Sequence, residues 1–391
     1  MAPRTILHIG TGGAGATCVA AATARRLAAA GTETLLLSLD PGQDLGDLLG
    51  ERLVTRARAV GERLEAAQVV AQDELERRGG AVQGWLGDAL VRRGIDRITA
   101  AELVAAPGMD ELFGLVELER HHRAGRHDAI VVDCGARGPA LRMLALPDLA
   151  RFWLEKALPQ RSAMTAAARP LAQLDLRLPG GAGAAQRLVR ELIAVSELLR
   201  DRERTSVRLV ATADPPAVLA AERVATGLAL YDLPVDAVVV NRVLPGDASG
   251  TLAARAAREG ALAEWIAQAF APIPVLRAPL LDDDVAGPDA LDRLGDAVFA
   301  EADPADVLHT GAAHDLEMGA HGATLRLDLP FARREELDVK QVGLDLVVRV
   351  GPHKRVIALP PALADYGPLG AAFDDGALHV SFTRTPATAD D

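Results

Sequence analysis

The sequence predicts an α/β protein with two parts: a doubly wound, mostly parallel sheet with helical insertions, and a small C-terminal β-sandwich. Short runs rich in Val, Leu and Ile alternate with helical stretches and end at Gly or Asp, as buried parallel strands do. A glycine-dense turn joins the first run to a helix. Near residue 303 this pattern gives way to alternation with a period of two, typical of a sandwich. Apolar residues make up 49% of the 391-residue chain, enough for two cores.

The N-terminal pattern predicts a strand, a helix and a second strand over residues 5–10, 14–30 and 33–39. Helical patterning predicts insertions over about 48–103 and 141–200, with "GERLEAAQVVAQDELERR" as the clearest amphipathic run of the first. Further buried strands are predicted in the segments 127–138, 206–214, 235–245 and 272–281. Together these elements form the first domain, residues 1–303.

The C-terminal region has a different sequence pattern. Residues 304–321 are polar and rich in Gly, Ala and His, which predicts a linker. Residues 322–384 contain "ATLRLDLPF", "GLDLVVRVG", "HKRVIALP" and "GALHVSF", alternating segments separated by turn residues. Residues 385–391 are predicted to be a disordered tail.

Composition excludes several classes of function. The net charge of −12 argues against a nucleic-acid partner, because phosphate backbones are held by basic surfaces. The two cysteines, Cys18 and Cys134, form neither a disulfide framework nor a C-x-x-C pair. No apolar run approaches the ~18 residues that an integral membrane segment needs. We therefore expect a cytoplasmic protein.

The turn "GTGGAGAT" matches the phosphate-binding pattern G-x-x-x-x-G-K-[ST] except that Ala16 replaces the lysine before Thr17. Two other interpretations stay open. Gly10, Gly12 and Gly15 also satisfy the dinucleotide pattern G-x-G-x-x-G, but Asp40 lies 25 residues beyond Gly15, whereas that motif expects its acid about 20 residues on. The turn could also be structural only.

Four segments carry a family resemblance: "TGGAGATCVAAATA", "SLDPGQDLGD", "DCGARGPALRMLALP" and "VVVNRVLP". Their order and spacing over residues 4–300 resemble the ArsA-like ATPases, which include arsenite-pump ATPases and ATPases that target tail-anchored membrane proteins. The resemblance implies a P-loop NTPase-like fold with ATP and magnesium as cofactors. The segments "LPF" and "VIALPPALA" resemble the α-crystallin-like domain that some members append.

The resemblance also implies a set of site residues. In the family the loop reads K-G-G-x-G-K-T, and both lysine positions are replaced here, by Thr11 and Ala16. Asp40 corresponds to the acid that positions the attacking water, and is the catalytic candidate. The implied nucleotide-binding residues are Gly12, Gly13, Ala14, Gly15, Ala16, Thr17, Asn241 and Pro279. The implied magnesium residues are Thr17, Asp40 and Asp133, and the implied switch-loop residues are Asp40, Asp44, Asp133 and Arg137. For the aspartates, capping or turn formation at strand ends is the alternative role.

The replaced lysines predict a degenerate family member that binds nucleotide weakly or not at all and acts as a regulatory or client-binding subunit. The resemblance implies either a homodimer or a heterodimer with a lysine-intact paralogue, and hydrophobic polypeptide clients. The chain lacks the cysteines of a zinc-clamped dimer or a metalloid site, so neither is expected. A slow magnesium-dependent ATPase, with Arg137 substituting for a lysine, and a dinucleotide-binding protein remain alternatives.

Overall fold

The computed structural model describes residues 2–40, 42, 44–69, 91, 96, 109–157, 182–300, 302–311, 313–319 and 322–384. Their elements form one large sheet flanked by helices on both faces and two smaller antiparallel sheets. The predicted fold class is therefore confirmed. No helix within these ranges is long and apolar enough to cross a membrane.

The large sheet has eight strands in the order β3-β4-β2-β5-β1-β6-β7-β8. The strands are β1 Arg4–Gly10, β2 Thr34–Ser38, β3 Arg58–Gly61, β4 Leu64–Gln68, β5 Ala129–Ala136, β6 Thr205–Thr212, β7 Val235–Val243 and β8 Val275–Pro279. Only the β3–β4 pairing is antiparallel among these strands. The carboxyl ends of the seven parallel strands therefore meet at one edge, which is where such sheets bind ligands.

Helices cover both faces of this sheet. They are α1 Ala16–Ala29, α2 Asp44–Leu49, α3 Met109–Ala124, α4 Arg137–Ala157, α5 Ala182–Arg200, α6 Pro215–Leu230, α7 Ala253–Ala269 and α8 Gly287–Val298. One apolar cluster lies under α3 to α7, and a second lies under α1, α2 and α8. Strands β1, β2, β5, β6 and β7 are buried on both sides, which explains their apolar-rich sequences.

The C-terminal domain is a sandwich of a four-stranded sheet, order β14-β15-β10-β9, and a three-stranded sheet, order β11-β12-β13. The strands are β9 His314–Met318, β10 Gly322–Asp328, β11 Leu337–Val342, β12 Asp345–Val350, β13 His353–Ala358, β14 Tyr366–Asp374 and β15 Ala377–Arg384. Leucine, valine and phenylalanine side chains from both sheets form its core.

The sandwich is docked on the first domain. Tyr231 donates its hydroxyl hydrogen to the Lys354 carbonyl oxygen at 3.2 Å, and Arg355 donates to the Leu230 carbonyl oxygen at 2.7 Å. Leu230, at the end of α6, is itself part of the sandwich core. Polar and apolar contacts therefore fix the two domains together.

Two predictions about the first domain and the linker are wrong. The predicted helical insertion at 48–103 contains β3 and β4, and β4 pairs with β2 as the second strand from one edge of the sheet. Leu, Ala and Glu favour helices, but four of the five β4 residues are buried, and this packing outweighs propensity. In the second insertion, 141–200, α4 and α5 are helical as predicted. Residues 70–90 and 158–181 lie outside the described residues.

The predicted linker at 304–321 is largely ordered structure. Residues 314–318 form β9, which pairs with β10. The carbonyl oxygens of Ala305 and Pro304 accept hydrogen bonds from Arg4 at 3.0 Å and Arg208 at 2.9 Å. The predicted tail at 385–391 lies outside the described residues.

Candidate nucleotide site

The glycine-rich loop lies at the carboxyl end of β1, in the middle of the sheet. Gly12, Gly13 and Gly15 have φ values of 106°, 63° and 82°, a region that L side chains rarely adopt. No backbone acceptor within the described residues pairs with the amide nitrogens of residues 12–18. The first helical hydrogen bond runs from Val19 N to the Gly15 carbonyl oxygen. The amides before it, at the positive end of the α1 dipole, are free to bind an anion.

A cavity of about 300 Å³ opens at this loop. It is lined by Gly10, Gly12, Gly13, Ala14, Gly15, Ala16, Thr17, Cys18, Asp40, Asp44, Leu48, Gly135, Ala136 and Arg242. The six predicted loop residues and the two aspartates of the first switch loop are thus brought together. Asp133, Asn241 and Pro279 are not among the lining residues, and the side chain of Arg137 lies outside the described atoms.

Both former lysine positions are buried. Ala16 is 7% exposed and belongs to the apolar cluster under α1. Thr11 is 6% exposed; its amide donates to the Val210 carbonyl oxygen at 3.0 Å, and its hydroxyl has no hydrogen-bond partner among the described residues. Neither position supplies a positive charge to the cavity.

Asp133 lies beneath the cavity and is 1% exposed. Its Oδ1 accepts a hydrogen bond from the Gly135 amide at 3.1 Å, whereas Oδ2 has no partner among the described residues. Burial raises the pKa of this carboxyl to about 6; the Gly135 and Thr17 hydrogen bonds lower it, and the charges of Asp40 and Asp44 raise it further. Thr17, Asp40 and Asp133 provide the oxygen ligands that magnesium takes, so the residues fit the implied metal.

The loop that follows β2 and the end of β5 approach each other at Asp40. Gly135 has a φ of 69°, and a Cβ at this position would overlap with the Asp40 carboxylate. The Asp40 carboxylate also accepts the Gly42 amide at 3.0 Å, and Gln68 donates to the carbonyl oxygens of Asp40 and Gly42, both at 2.6 Å. A glycine at 135 is therefore required for this contact. Gln68, at the end of β4, was missed because that strand was predicted to be a helix.

Asn241, at the carboxyl end of β7, holds the glycine loop. Its Nδ2 donates to the Ala14 carbonyl oxygen at 2.8 Å, its Oδ1 accepts the Arg242 amide at 2.9 Å, and its side chain is buried. In this arrangement the side chain contacts protein atoms, and its implied role in binding nucleotide stays a prediction. Pro279 pairs with Val243 at the end of β8.

Sequence reasoning missed Arg242 as a site residue. This residue has a φ of 60°, and its Nη1 donates to the Gly13 carbonyl oxygen at 2.9 Å. A strained non-glycine backbone persists when surrounding contacts fix it and is common at functional sites. Its signal in the sequence was a cation directly after the strand-end Asn241.

The parallel sheet, the glycine loop at the end of β1 and the strand-end aspartates define a P-loop NTPase-like protein. Comparison with protein families is more specific. Residues 3–300 match the family described as anion-transporting ATPase (ArsA ATPase), and residues 320–382 match the HSP20-like domain found in ArsA. The chain belongs to this ATPase family.

Curated relatives match over nearly the whole chain. A Streptomyces coelicolor protein of uncharacterised function, SCO2128, is 36% identical, covering 98% of both chains. A Chlorobaculum tepidum protein, provisionally named as an arsenical pump-driving ATPase, is 30% identical, covering 97% of this chain and 96% of its own. The ATPase get3 of Aspergillus terreus is 27% identical, covering 75% and 89%.

Proposed function

We propose that this chain is a family member that has lost effective ATP hydrolysis, binds nucleotide weakly and acts as a regulatory or client-binding subunit. The observation that carries the proposal is the burial of Thr11 and Ala16 at the two lysine positions. A lysine in such a loop neutralises the charge that develops as the γ-phosphoryl group transfers. Losing one such group typically lowers the rate by about 10²–10³-fold, so losing both removes several orders of magnitude.

The binding half of the site is better preserved than the catalytic half. The loop residues and Thr17 line the cavity, and the buried Asp133 carboxyl adjoins it through its hydrogen bond with Gly135. This supports a protein that holds a phosphate without transferring it.

The subunit role follows from what the site retains. Asp40 is fixed by Gly42 and Gly135, and Asp44 is exposed at the start of α2. In a dimer with a lysine-intact paralogue, this chain would contribute its carboxylates and interface while the paralogue contributes both lysines. Hydrophobic polypeptide segments are the clients that the resemblance implies.

The first experiment measures steady-state hydrolysis of Mg-ATP by the purified full chain and by the variant Thr11→Lys/Ala16→Lys. We expect no turnover above background for the natural chain and measurable turnover for the double variant. The matched control is Thr251→Lys/Ala257→Lys, which adds the same two charges at exposed positions beside and on α7. The control separates a loop effect from a general charge effect.

Turnover by the natural chain that disappears in Asp40→Asn would contradict the proposal and establish the slow-ATPase alternative. Binding of NAD⁺ in preference to adenine nucleotides would establish the dinucleotide alternative. If the natural chain raises the turnover of an added lysine-intact paralogue, the regulatory role is supported; unchanged turnover argues against it.

A further inference from the structure

Charges of opposite sign lie on opposite sides of the glycine loop. The order β2-β5-β1-β6-β7 places β2, which precedes Asp40, two strands to one side of β1. It places β7, which carries Arg242, two strands to the other side. With neighbouring strands about 4.8 Å apart, four intervals separate the two charged ends by roughly 19 Å at the sheet. The loop amides lie between them.

Arg242 supplies the positive side. Among the described residues that line the cavity, Arg242 is the one basic side chain. Its Nη1 is held by the Gly13 carbonyl oxygen, and its Nη2 lies 3.6 Å from where a Cβ on Gly15 would be. The guanidinium group therefore lies against the loop where the amides are free, with donors left for a phosphate oxygen.

Carboxylates occupy the other side. Asp40 and Asp44 line the cavity, and both act on the buried Asp133. In the described part of the chain, no cationic side chain lines the cavity between this cluster and the loop. A third phosphate extending from the loop towards Asp40 would meet negative charge that the replaced lysines no longer offset.

We propose that this cavity selects a diphosphate group over a triphosphate, with Arg242 as the residue that binds the diphosphate together with the loop amides. The inference rests on the proposed function, because it concerns the same site. ADP and inorganic pyrophosphate share this chemistry. A bound divalent cation would shield the carboxylates, so the preference is strongest without metal.

The test is calorimetric titration of the natural full chain with ADP, ATP and inorganic pyrophosphate, in EDTA and again with Mg²⁺. In EDTA we expect ADP to bind at least about tenfold more tightly than ATP, and Mg²⁺ to narrow the difference. Pyrophosphate binding comparable to ADP supports a site that recognises the diphosphate alone. Binding of ADP without binding of pyrophosphate supports a diphosphate site to which the nucleoside adds affinity.

Arg242→Gln is expected to weaken ADP binding about tenfold or more, the effect of losing one charge-assisted hydrogen bond. Arg242→Lys keeps the charge and is expected to retain part of the affinity. Arg258→Gln, an exposed arginine on α7, is the matched control and should bind ADP like the natural chain. Unchanged midpoints of thermal unfolding show that the two Arg242 variants are folded.

Asp44→Asn tests the negative side. It is expected to raise ATP affinity in EDTA by about threefold while leaving ADP affinity unchanged. Equal or tighter binding of ATP than ADP in EDTA, or unchanged ADP binding in Arg242→Gln, overturns the inference. Loss of hydrolysis is measured separately, so turnover by the natural chain would overturn the proposed function whatever the ADP-to-ATP ratio.

Discussion

The two ends of the large sheet differ in what their buried polar groups contact. At the amino end, Arg208 and Asp236 are fully buried and paired with each other at 3.3 Å, and Arg4 joins Asp236 at 3.0 Å. The arginines also donate to carbonyl oxygens of the segment that leads to the sandwich. At the carboxyl end, the loop amides and Asp133 Oδ2 have no such partners among the described residues.

This difference separates structure from function. Buried ion pairs whose partners come from different elements hold those elements together. At the amino end Arg208 Nη1 and Thr205 Oγ1 are also buried without a partner among the described residues, but no described cavity adjoins them as one adjoins the glycine loop. The amino end of the sheet is therefore joined to residues 304–306, and the carboxyl end carries the candidate binding site.

The largest expected effect comes from removing the buried ion pairs at the amino end of the sheet. Asp236→Asn leaves the buried Arg208 and its neighbour Arg4 without their shared carboxylate. Removing one partner of a buried pair typically costs about 3–5 kcal/mol. Urea unfolding should show a midpoint lowered accordingly.

The control for that measurement is Asp292→Asn, which removes the surface partner of Arg25 at 2.7 Å. Because Asp292 is half exposed, its pair should contribute less than about 1 kcal/mol. Similar losses in both variants would contradict the distinction between buried and surface pairs.

The second prediction concerns pH and Asp133. Its folded-state pKa of about 6 lies above the unfolded value of about 3.9, so the folded chain binds this proton more tightly. Stability contributed by this group is therefore present below pH ~4 and is lost as pH rises through ~6, by up to about 3 kcal/mol. Compared with the natural chain, Asp133→Asn should flatten unfolding free energy between pH 4 and 7. If the unfolding free energy changes with pH equally in the two proteins, the Asp133 carboxyl does not titrate as described.

The smallest expected effect tests the contact between Gly135, at the end of β5, and Asp40, just after β2. Gly135→Ala introduces a Cβ that overlaps with the Asp40 carboxylate, at a φ of 69°. Gly50→Ala is the matched control, because Gly50 has a φ of 68° and no atom within 4 Å of the added Cβ. We expect the free energy of unfolding to fall by about 1 kcal/mol in the control and by about 2–3 kcal/mol in Gly135→Ala. Equal losses in chemical denaturation would mean that the Asp40 contact adds nothing.

Local pattern predicted much of the fold. Buried runs such as 206–214 and 235–245 identified β6 and β7, because a strand covered on both faces needs continuous apolar sequence. Pattern failed at β4, where Leu, Glu, Ala and Gln favour a helix by themselves and become a strand by pairing with β2. It failed at 314–318 for a related reason, since the polar β9 is defined by its partner β10.

The candidate site divides in the same way. The loop residues and the aspartates could be found because they lie at or just beyond the carboxyl ends of buried apolar runs. Gln68 was missed because β4 was predicted to be a helix, and the position of Arg242 after Asn241 does not reveal its contact with Gly13, which lies 229 residues away.

The sequence by itself determined the order of buried strands, the glycine loop at the first of them and the absence of both loop lysines, since these depend on residue identity and local spacing. Only the tertiary structure decided that Arg242 lies against Gly13 and that Asp40 lies against Gly135. The physical reason is that strand order, not chain order, sets which loops are neighbours. The sheet brings together residues hundreds of positions apart and places their charges on opposite sides of one cavity.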